Sequence, residues 1–293
     1  MCIIGFLADL IIIMIKIVPE DDLNESLNHA KIKDNDYLPV DEHVEQVSEN
    51  GKSVTYRGIF LLPNLLTTAA LFCGFFSVLS SIQGDTIAAI YGIILAGFFD
   101  MLDGRVARLL NVQSQFGAEY DSLSDLISFG VAPSLLVFVW NLSSIGKLGW
   151  VLSFIYLCCA ALRVARFNTQ IDGETKSYFS GLSSPAAAGM LTSTVWLLTH
   201  LGVESSSFSP VVQGVFLLTV LLISLLMISN IPYYSFKTVK VKRRVPFAVF
   251  LAIIFIMMCV VSVPPLFFFL FGVVYCFSGL FTFIYTQLKT RST

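Results

Sequence analysis

The chain has 293 residues, of which 56% are hydrophobic and 13% charged, and its mean hydropathy is +0.79. This composition is typical of an integral membrane protein and excludes a soluble domain with a large core. The net charge of −2 is unevenly spread, because residues 1–57 carry 11 acidic and 5 basic side chains. An acidic N-terminal arm therefore precedes a mildly basic body.

The N-terminal region has two parts. Residues 2–17 form a short apolar run that contains Asp9 and lacks both a preceding basic segment and a small-residue cleavage site, so a signal peptide is not expected. We expect an interfacial helix there, with an additional membrane span or an incorrectly assigned start as alternatives. Residues 18–57 are polar, acidic and poor in aromatic side chains, which predicts a flexible arm.

Long apolar runs fill the rest of the chain, residues 58–290, which we expect to form one membrane-embedded domain. About 20 apolar residues cross ~30 Å of hydrocarbon, and without water such a segment must be helical. We therefore predict an all-α membrane protein with about eight transmembrane helices. The predicted spans are 59–82, 86–108, 118–141, 148–168, 181–203, 211–232, 246–263 and 264–286, the last two separated by a turn at Pro264 and Pro265.

Basic residues predict the orientation of these spans, because Lys and Arg accumulate on the cytoplasmic side. If the N-terminus of the body is cytoplasmic, twelve basic residues lie inside and Lys147 alone lies outside. We therefore expect a multi-pass protein of the inner (cytoplasmic) membrane, with both ends of the body in the cytoplasm. The basic cluster at 240–244 is expected to bind anionic lipid head groups.

Four aspartates interrupt this apolar sequence. Asp100 and Asp103 are three residues apart near the end of the second span, and Asp121 and Asp125 are four apart near the start of the third, so each pair shares a helix face. Clustered carboxylates in an apolar setting repel one another unless cations lie between them. Because carboxylate oxygens prefer hard cations, the pattern predicts a site for two divalent ions, suited to phosphoryl displacement.

The alternative explanation is that these carboxylates form ion pairs with Arg105 and Arg108. Two arginines cannot neutralise four carboxylates, so this explanation is the weaker one. The cysteines and histidines show no metal-ligand spacing, which leaves the aspartates as the candidate metal ligands.

The aspartates belong to a longer motif, Asp103-Gly104-x2-Ala107-Arg108-x8-Gly117-x3-Asp121-x3-Asp125. It resembles the signature of the CDP-alcohol phosphatidyltransferase family in every residue and spacing. The resemblance implies a six-helix core that transfers a phosphatidyl-type group from a CDP-linked donor to an alcohol, with two divalent cations, Mg²⁺ or Mn²⁺, as cofactors.

The resemblance also implies roles for single residues. Asp100, Asp103 and Asp121 would bind the metals, and Asp125 would be both a metal ligand and the general base. The CDP-binding surface would be formed by Gly104, Ala107, Arg108 and Gly117, with Asn64 and Thr67 of the first span nearby. The small side chains leave room for close approach of a ligand, and the arginine offers a fork for phosphate.

Three further stretches resemble the serine-using branch of this family, the CDP-diacylglycerol–serine O-phosphatidyltransferases. They are RVARFN at 163–168, GLSSPAAA at 181–188 and SNIPYYSFK at 229–237, and Ser183 stands where that branch commonly has proline. The expected partners are CDP-diacylglycerol, L-serine and membrane lipids, with no nucleic acid, and a homodimer is left open.

A serine substrate needs a cation for its carboxylate and acceptors for its ammonium group. The alternative for each arginine here is a charged side chain reaching the membrane surface from a helix end. The candidate acceptor-binding residues are Arg163, Arg166, Asn168, Asn230 and Lys237.

Two other functions stay open from sequence alone. The acceptor could be another alcohol, such as glycerol 3-phosphate or inositol, because the metal motif acts on a phosphate and does not select the nucleophile. A cation transporter would also place carboxylates in the membrane. The clustering of all four aspartates at one membrane face favours the transferase.

Overall fold

The computed structural model describes residues 47–49, 52–54, 61–110, 115–169, 178–203, 208–234, 258 and 262–291. The chain divides into two compact units, Met1–Ser53 and Val54–Thr293. Two short strands, β1 (Val47–Glu49) and β2 (Lys52–Val54), are hydrogen-bonded neighbours. The interfacial helix expected at 2–17 and most of the arm expected at 18–57 lie outside the described residues.

The membrane body is built from helices, which occur in chain order as follows: α1 (Leu61–Ile82), α2 (Thr86–Leu109), α3 (Gln115–Asp125), α4 (Ala132–Trp140), α5 (Lys147–Thr169), α6 (Ser184–His200), α7 (Pro210–Ile228) and α8 (Pro264–Arg291). A π-helical turn, Leu126–Val131, joins α3 to α4, and a 3₁₀ turn, Leu142–Ile145, precedes α5. Strands β3 (Tyr178–Ser180) and β4 (Pro232–Tyr234) pair antiparallel. Apart from these strands the described body is helical, as predicted.

Among the residues that the structure describes, five helical stretches are long and apolar enough to cross a membrane: α1, α2, Phe116–Trp140, α5 and α7. They coincide with five of the eight predicted spans, so the protein is a multi-pass membrane protein. Helix α6 has 17 residues and α8 contributes the shorter apolar helix Pro264–Gly279. The predicted span 246–263 lies almost entirely outside the described residues, so the count of eight stays a prediction.

Two predicted spans are longer than the helices they contain. Helix α7 ends at Ile228, four residues before the predicted end, because Ser229 adopts extended backbone (φ −59°, ψ 157°). Helix α6 begins at Ser184, three residues after the predicted start at 181, because Gly181 has a positive φ of 85°. Pro185 in the first turn of α6 suits a helix start, where its missing N–H is not needed.

Helix α6 lies at the centre of the body, where it packs against α2, α4, α5, α7 and α8. Its side chains Ala187, Leu191 and Val195 are completely buried. The surrounding helices expose large apolar side chains such as Phe72 and Trp150. A soluble monomer rarely exposes so much contiguous apolar surface, whereas lipid accommodates it.

Consecutive long helices run in opposite directions, so alternate helix ends meet. Hydrogen bonds link the start of α1 to the end of α2, the second half of α3 to the end of α5, and the end of α5 to the end of α7. We call this side of the body the site end. At the opposite end Asp85 caps α2 by accepting from the Ala88 N–H, and Lys147 begins α5.

Candidate active site

The structure brings the four predicted aspartates together at the site end. One carboxylate oxygen from each of Asp100, Asp103 and Asp121 lies within 4.8 Å of the others, a grouping able to hold a metal ion. The carboxyl group of Asp125 hydrogen-bonds to that of Asp100. Asp103 is only 4% exposed, and the other three are partly buried. Helix spacing therefore did place all four carboxylates on facing helix surfaces, as predicted.

Within the described part of the chain, the charged groups that act on these carboxylates are other carboxylates. Asp121 interacts electrostatically with Asp103 and Asp100. The guanidinium of Arg108 is held on its own helix, where its Nε donates to the Gly104 carbonyl oxygen at 2.7 Å. Ion pairing with arginine therefore does not account for the cluster. An all-oxygen donor set under mutual repulsion fits a hard divalent cation.

Asp125 belongs to the same electrostatic cluster, because its carboxyl group interacts with those of Asp100, Asp121 and Asp103. Divalent cations held by these residues would offset the mutual repulsion of the four groups. The residues present therefore fit a metal centre.

Two consecutive threonines on α1 hold both aspartate-bearing helices. The Thr67 hydroxyl donates to Asp103 Oδ2 at 2.8 Å, and the Ser124 hydroxyl donates to the Thr67 carbonyl oxygen at 3.3 Å. The hydroxyls of Thr68 and Tyr120 are 2.9 Å apart. Helix α1 thus fixes the α2 carboxylate on one side and α3 on the other, and orients Asp103.

The third span changes its winding directly after Asp125, where the π-helical turn begins. Ser128, Phe129 and Gly130 are consecutive and all buried there. The Ser128 hydroxyl donates to a carbonyl of α1 at 3.3 Å, and a Cβ at Gly74 would lie only 2.5 Å from that hydroxyl oxygen. Such wide turns are rare and often lie at functional sites. Here the turn sits against α1, next to the carboxylates.

A cavity of about 180 Å³ lies beside Asp121 and Asp125. It is smaller than pockets for drug-sized ligands, roughly 300–1,000 Å³, so it suits a small molecule. Arg163 brings a buried cation to its wall: it is 5% exposed and its Nε donates to the Leu182 carbonyl oxygen at 3.2 Å. The lining residues are Asp121, Ser122, Asp125, Arg163, Val164, Phe167, Ser183, Ser184 and Pro185.

The other candidate acceptor residues lie near this cavity without lining it. Arg166 Nη2 donates to Asn230 Oδ1 at 2.6 Å, and Arg166 Nη1 donates to the Ile228 carbonyl oxygen at 3.3 Å. The Ser122 hydroxyl donates to Asn168 Oδ1 at 3.1 Å. Lys237 lies outside the described residues.

Four of the residues expected to bind CDP occupy the last turns of α2 and the start of α3, and the other two lie near the start of α1. A Cβ at Gly104 would meet only Arg108 Nη2, at 3.9 Å, so this surface is open to close approach. Ala107 and Gly117 are half-buried, and the carbonyl of Asn64 accepts from the Thr68 hydroxyl at 2.7 Å.

Sequence reasoning did not select six of the residues that line the cavity beside Asp121. They are Ser122, Val164, Phe167, Ser183, Ser184 and Pro185. The signal for five of them was present, because they belong to the stretches 163–168 and 181–188 that resemble the serine-using branch. Ser122 gave no signal, because a serine between two aspartates on a helix has many structural roles.

Comparison with known proteins agrees with this geometry. Residues 60–225 match the family described as CDP-alcohol phosphatidyltransferase, a match that includes all four aspartates. A CDP-diacylglycerol–serine O-phosphatidyltransferase of Helicobacter pylori is 34% identical over 200 residues, covering 68% of this chain and 83% of that protein. A CDP-diacylglycerol–serine O-phosphatidyltransferase of Bacillus subtilis is 30% identical over 176 residues, covering 60% of this chain and 91% of that protein.

An archaeal relative has a similar level of identity. The archaetidylserine synthase of Methanothermobacter thermautotrophicus is 35% identical over 187 residues, covering 63% of this chain and 73% of that protein. The family match extends over more than half of the chain, and the Helicobacter relative over more than two thirds of it. This chain belongs to the CDP-alcohol phosphatidyltransferase family.

Proposed function

We propose that this protein transfers a phosphatidyl group from CDP-diacylglycerol to L-serine, giving phosphatidylserine and CMP. The observation that carries the proposal is that one small cavity is lined by the buried Arg163 and by Asp121 and Asp125. The names of the bacterial and archaeal relatives, which all include serine, support the same acceptor. The bacterial relatives are named as transferases and the archaeal one as a synthase, which favours the transferase over the cation transporter.

In this proposal Asp125 takes the proton of the serine hydroxyl as the general base. The serine oxygen then forms a bond to the lipid-side phosphorus of CDP-diacylglycerol, and the bond from that phosphorus to the CMP oxygen breaks. Two cations, Mg²⁺ or Mn²⁺, held by Asp100, Asp103, Asp121 and Asp125, would neutralise charge on the pyrophosphate and on the departing CMP. Thr67 keeps Asp103 oriented by its hydrogen bond.

Serine recognition is assigned to the cavity wall. The guanidinium of Arg163 is suited to the serine carboxylate, since arginine forms short, charge-assisted hydrogen bonds to carboxylates. The hydroxyl oxygens of Ser183 and Ser184 can accept from the serine ammonium group. Arg163 is the one basic residue among the described residues that line this cavity, which disfavours a doubly charged acceptor such as glycerol 3-phosphate.

The donor is assigned to the neighbouring surface. CDP would lie along Gly104, Ala107 and Gly117, where the helix surface has no bulky side chain and Arg108 is exposed beside it. Asn64 stands at the start of α1, at the same end of the body. This arrangement would place the pyrophosphate of the donor next to the carboxylates. The acceptor would reach the carboxylates from the cavity lined by Arg163.

A panel of acceptors tests the proposal. Purified protein with Mn²⁺ or Mg²⁺ and labelled CDP-diacylglycerol is expected to release CMP and form labelled phosphatidylserine when L-serine is added. Glycerol 3-phosphate and inositol are expected to give no lipid product. Turnover of either of these without turnover of serine would overturn the serine assignment while leaving the family assignment in place.

We also propose that the site end faces the cytoplasm. At this end α2 and α5 carry Arg105, Arg108, Arg163 and Arg166, whereas α5 begins at the opposite end with Lys147. In a variant without native cysteines, a membrane-impermeant thiol reagent added outside is expected to label a cysteine at position 147 and not one at 242. The reverse pattern would contradict this orientation.

A further inference from the structure

The end of α7 receives hydrogen bonds from the segment between α5 and α6. The last carbonyls of a helix have no partner within it. At α7 the Leu182 N–H donates to the Leu226 oxygen at 3.0 Å, and the Gly181 N–H donates to the Ile231 oxygen, just beyond the helix, at 2.9 Å. The end of α7 is therefore joined to the chain that leads into α6.

Arg166 adds a charged group to this junction. Its two Nη atoms donate to the Ile228 carbonyl oxygen and to Asn230 Oδ1, at 3.3 and 2.6 Å. A cation at a helix C-terminus is favoured by the partial negative charge of the unpaired carbonyls. Hydrogen bonds from an ionised donor are roughly twice as strong as neutral ones. The guanidinium of Arg166 is thus engaged with groups of the protein.

The backbone fits closely at the same place. Gly181 has a φ of 85°, and a Cβ there would lie 2.6 Å from the Met227 oxygen and 2.7 Å from the Ser229 oxygen. No side chain fits in that space. The pairing of β3 with β4 continues the contact, with Ser180 opposite Pro232.

This junction leads directly to the cavity. The N–H of Leu182 bonds to α7, while its carbonyl oxygen accepts from Arg163 Nε at 3.2 Å. The next two residues, Ser183 and Ser184, line the cavity together with Arg163. Any displacement of the end of α7 would therefore shift both the arginine and the serine wall.

We propose that Arg166 and Asn230 form a latch that positions Arg163 and the cavity wall for the acceptor, without contacting the acceptor themselves. The proposal rests on the proposed function in one respect, that serine occupies this cavity. It differs from the expectation that Arg166 and Asn230 bind serine directly, because it requires the backbone at Gly181 and Leu182 to loosen when either side chain is removed.

A double-mutant cycle tests the latch. Arg166→Ala and Asn230→Ala are each expected to raise the KM for serine about 10- to 100-fold, the range for a lost hydrogen bond to a charged group. The KM for CDP-diacylglycerol and kcat are expected to change little. The double variant should be no worse than Arg166→Ala alone, because Arg166→Ala already removes the one hydrogen bond that Asn230→Ala removes.

Two further variants serve as controls. Asn230→Asp keeps an acceptor for Arg166 and is expected to retain a KM for serine near that of the wild type. Gln213→Ala removes a polar side chain at the opposite end of α7, where it donates to the Ser144 hydroxyl. This variant is expected to leave the KM for serine unchanged. An unchanged serine KM in Asn230→Ala, or additive losses in the double variant, would overturn the latch.

Hydrogen–deuterium exchange separates this proposal from the proposed function. The Gly181 and Leu182 amides are expected to exchange faster in Arg166→Ala and Asn230→Ala than in the wild type, whether or not serine is a substrate. Unchanged exchange in both variants would overturn the latch. A wild-type protein that ignores serine would instead overturn the proposed function.

Discussion

Replacing Asp121 by asparagine is expected to lower serine-dependent CMP release by roughly a thousandfold, equivalent to ~4 kcal/mol of transition-state stabilisation. Asparagine has the same shape but no charge, so the cation site would lose one of its ligands while packing is preserved. The same result is expected for Asp100, Asp103 and Asp125, whose carboxyl groups complete the cluster. Activity is measured beside the yield of folded protein in detergent.

Asp85→Asn is the matched control. Asp85 is also a carboxylate of the α2 region, but it caps the opposite end of the helix, and asparagine can cap equally well. Its activity should stay near that of the wild type. EDTA should abolish transfer reversibly, with recovery on adding Mn²⁺ or Mg²⁺. Full activity in metal-free enzyme would refute the metal site.

Replacing Arg163 by alanine is expected to lower kcat/KM for serine by roughly 30- to 1,000-fold, corresponding to the ~2–4 kcal/mol of a lost arginine–carboxylate contact. The loss should appear mainly in the KM for serine, because the CDP-binding surface is formed by other helices. Steady-state kinetics with each substrate varied in turn measure this. Arg163→Lys should be intermediate, since lysine keeps the charge without the planar fork.

Lys147→Ala is the control for this prediction. Lys147 is a basic residue of the same helix, at its opposite end, and its removal should leave both KM values unchanged. If Arg163→Ala had an unchanged serine KM, some other group would have to bind the serine carboxylate.

The carboxylate cluster could be predicted from the sequence because its information is local. Asp100 and Asp103 share a helix face, Asp121 and Asp125 share another, and the connection between their helices is short enough to bring the faces together. Apolar runs likewise predicted the five spans. Helical periodicity and membrane thickness determine both features with little influence from the rest of the fold.

The supporting contacts could not be predicted in this way. Thr67 and Asp103 are 36 residues apart, and Arg166 and Asn230 are 64 apart. Such contacts depend on how helices rotate against one another, which no short pattern specifies. Sequence reasoning therefore identified Arg166 as a charge near the acceptor, but could not show that the end of α7 engages it.

The π-helical turn after Asp125 rotates the second half of the third span about the helix axis relative to the first half, so the two halves differ in helical phase. In an unbroken α-helix Leu136 would lie about three turns beyond Asp125 and point in nearly the same direction. Here Asp125 joins the carboxylate cluster, whereas Leu136 is buried in the hydrophobic core. Transplanting the seven motif residues together with Asp100 onto a regular helical hairpin would consequently reproduce the carboxylates but misalign the helix that holds them. The phase shift must be copied together with the motif.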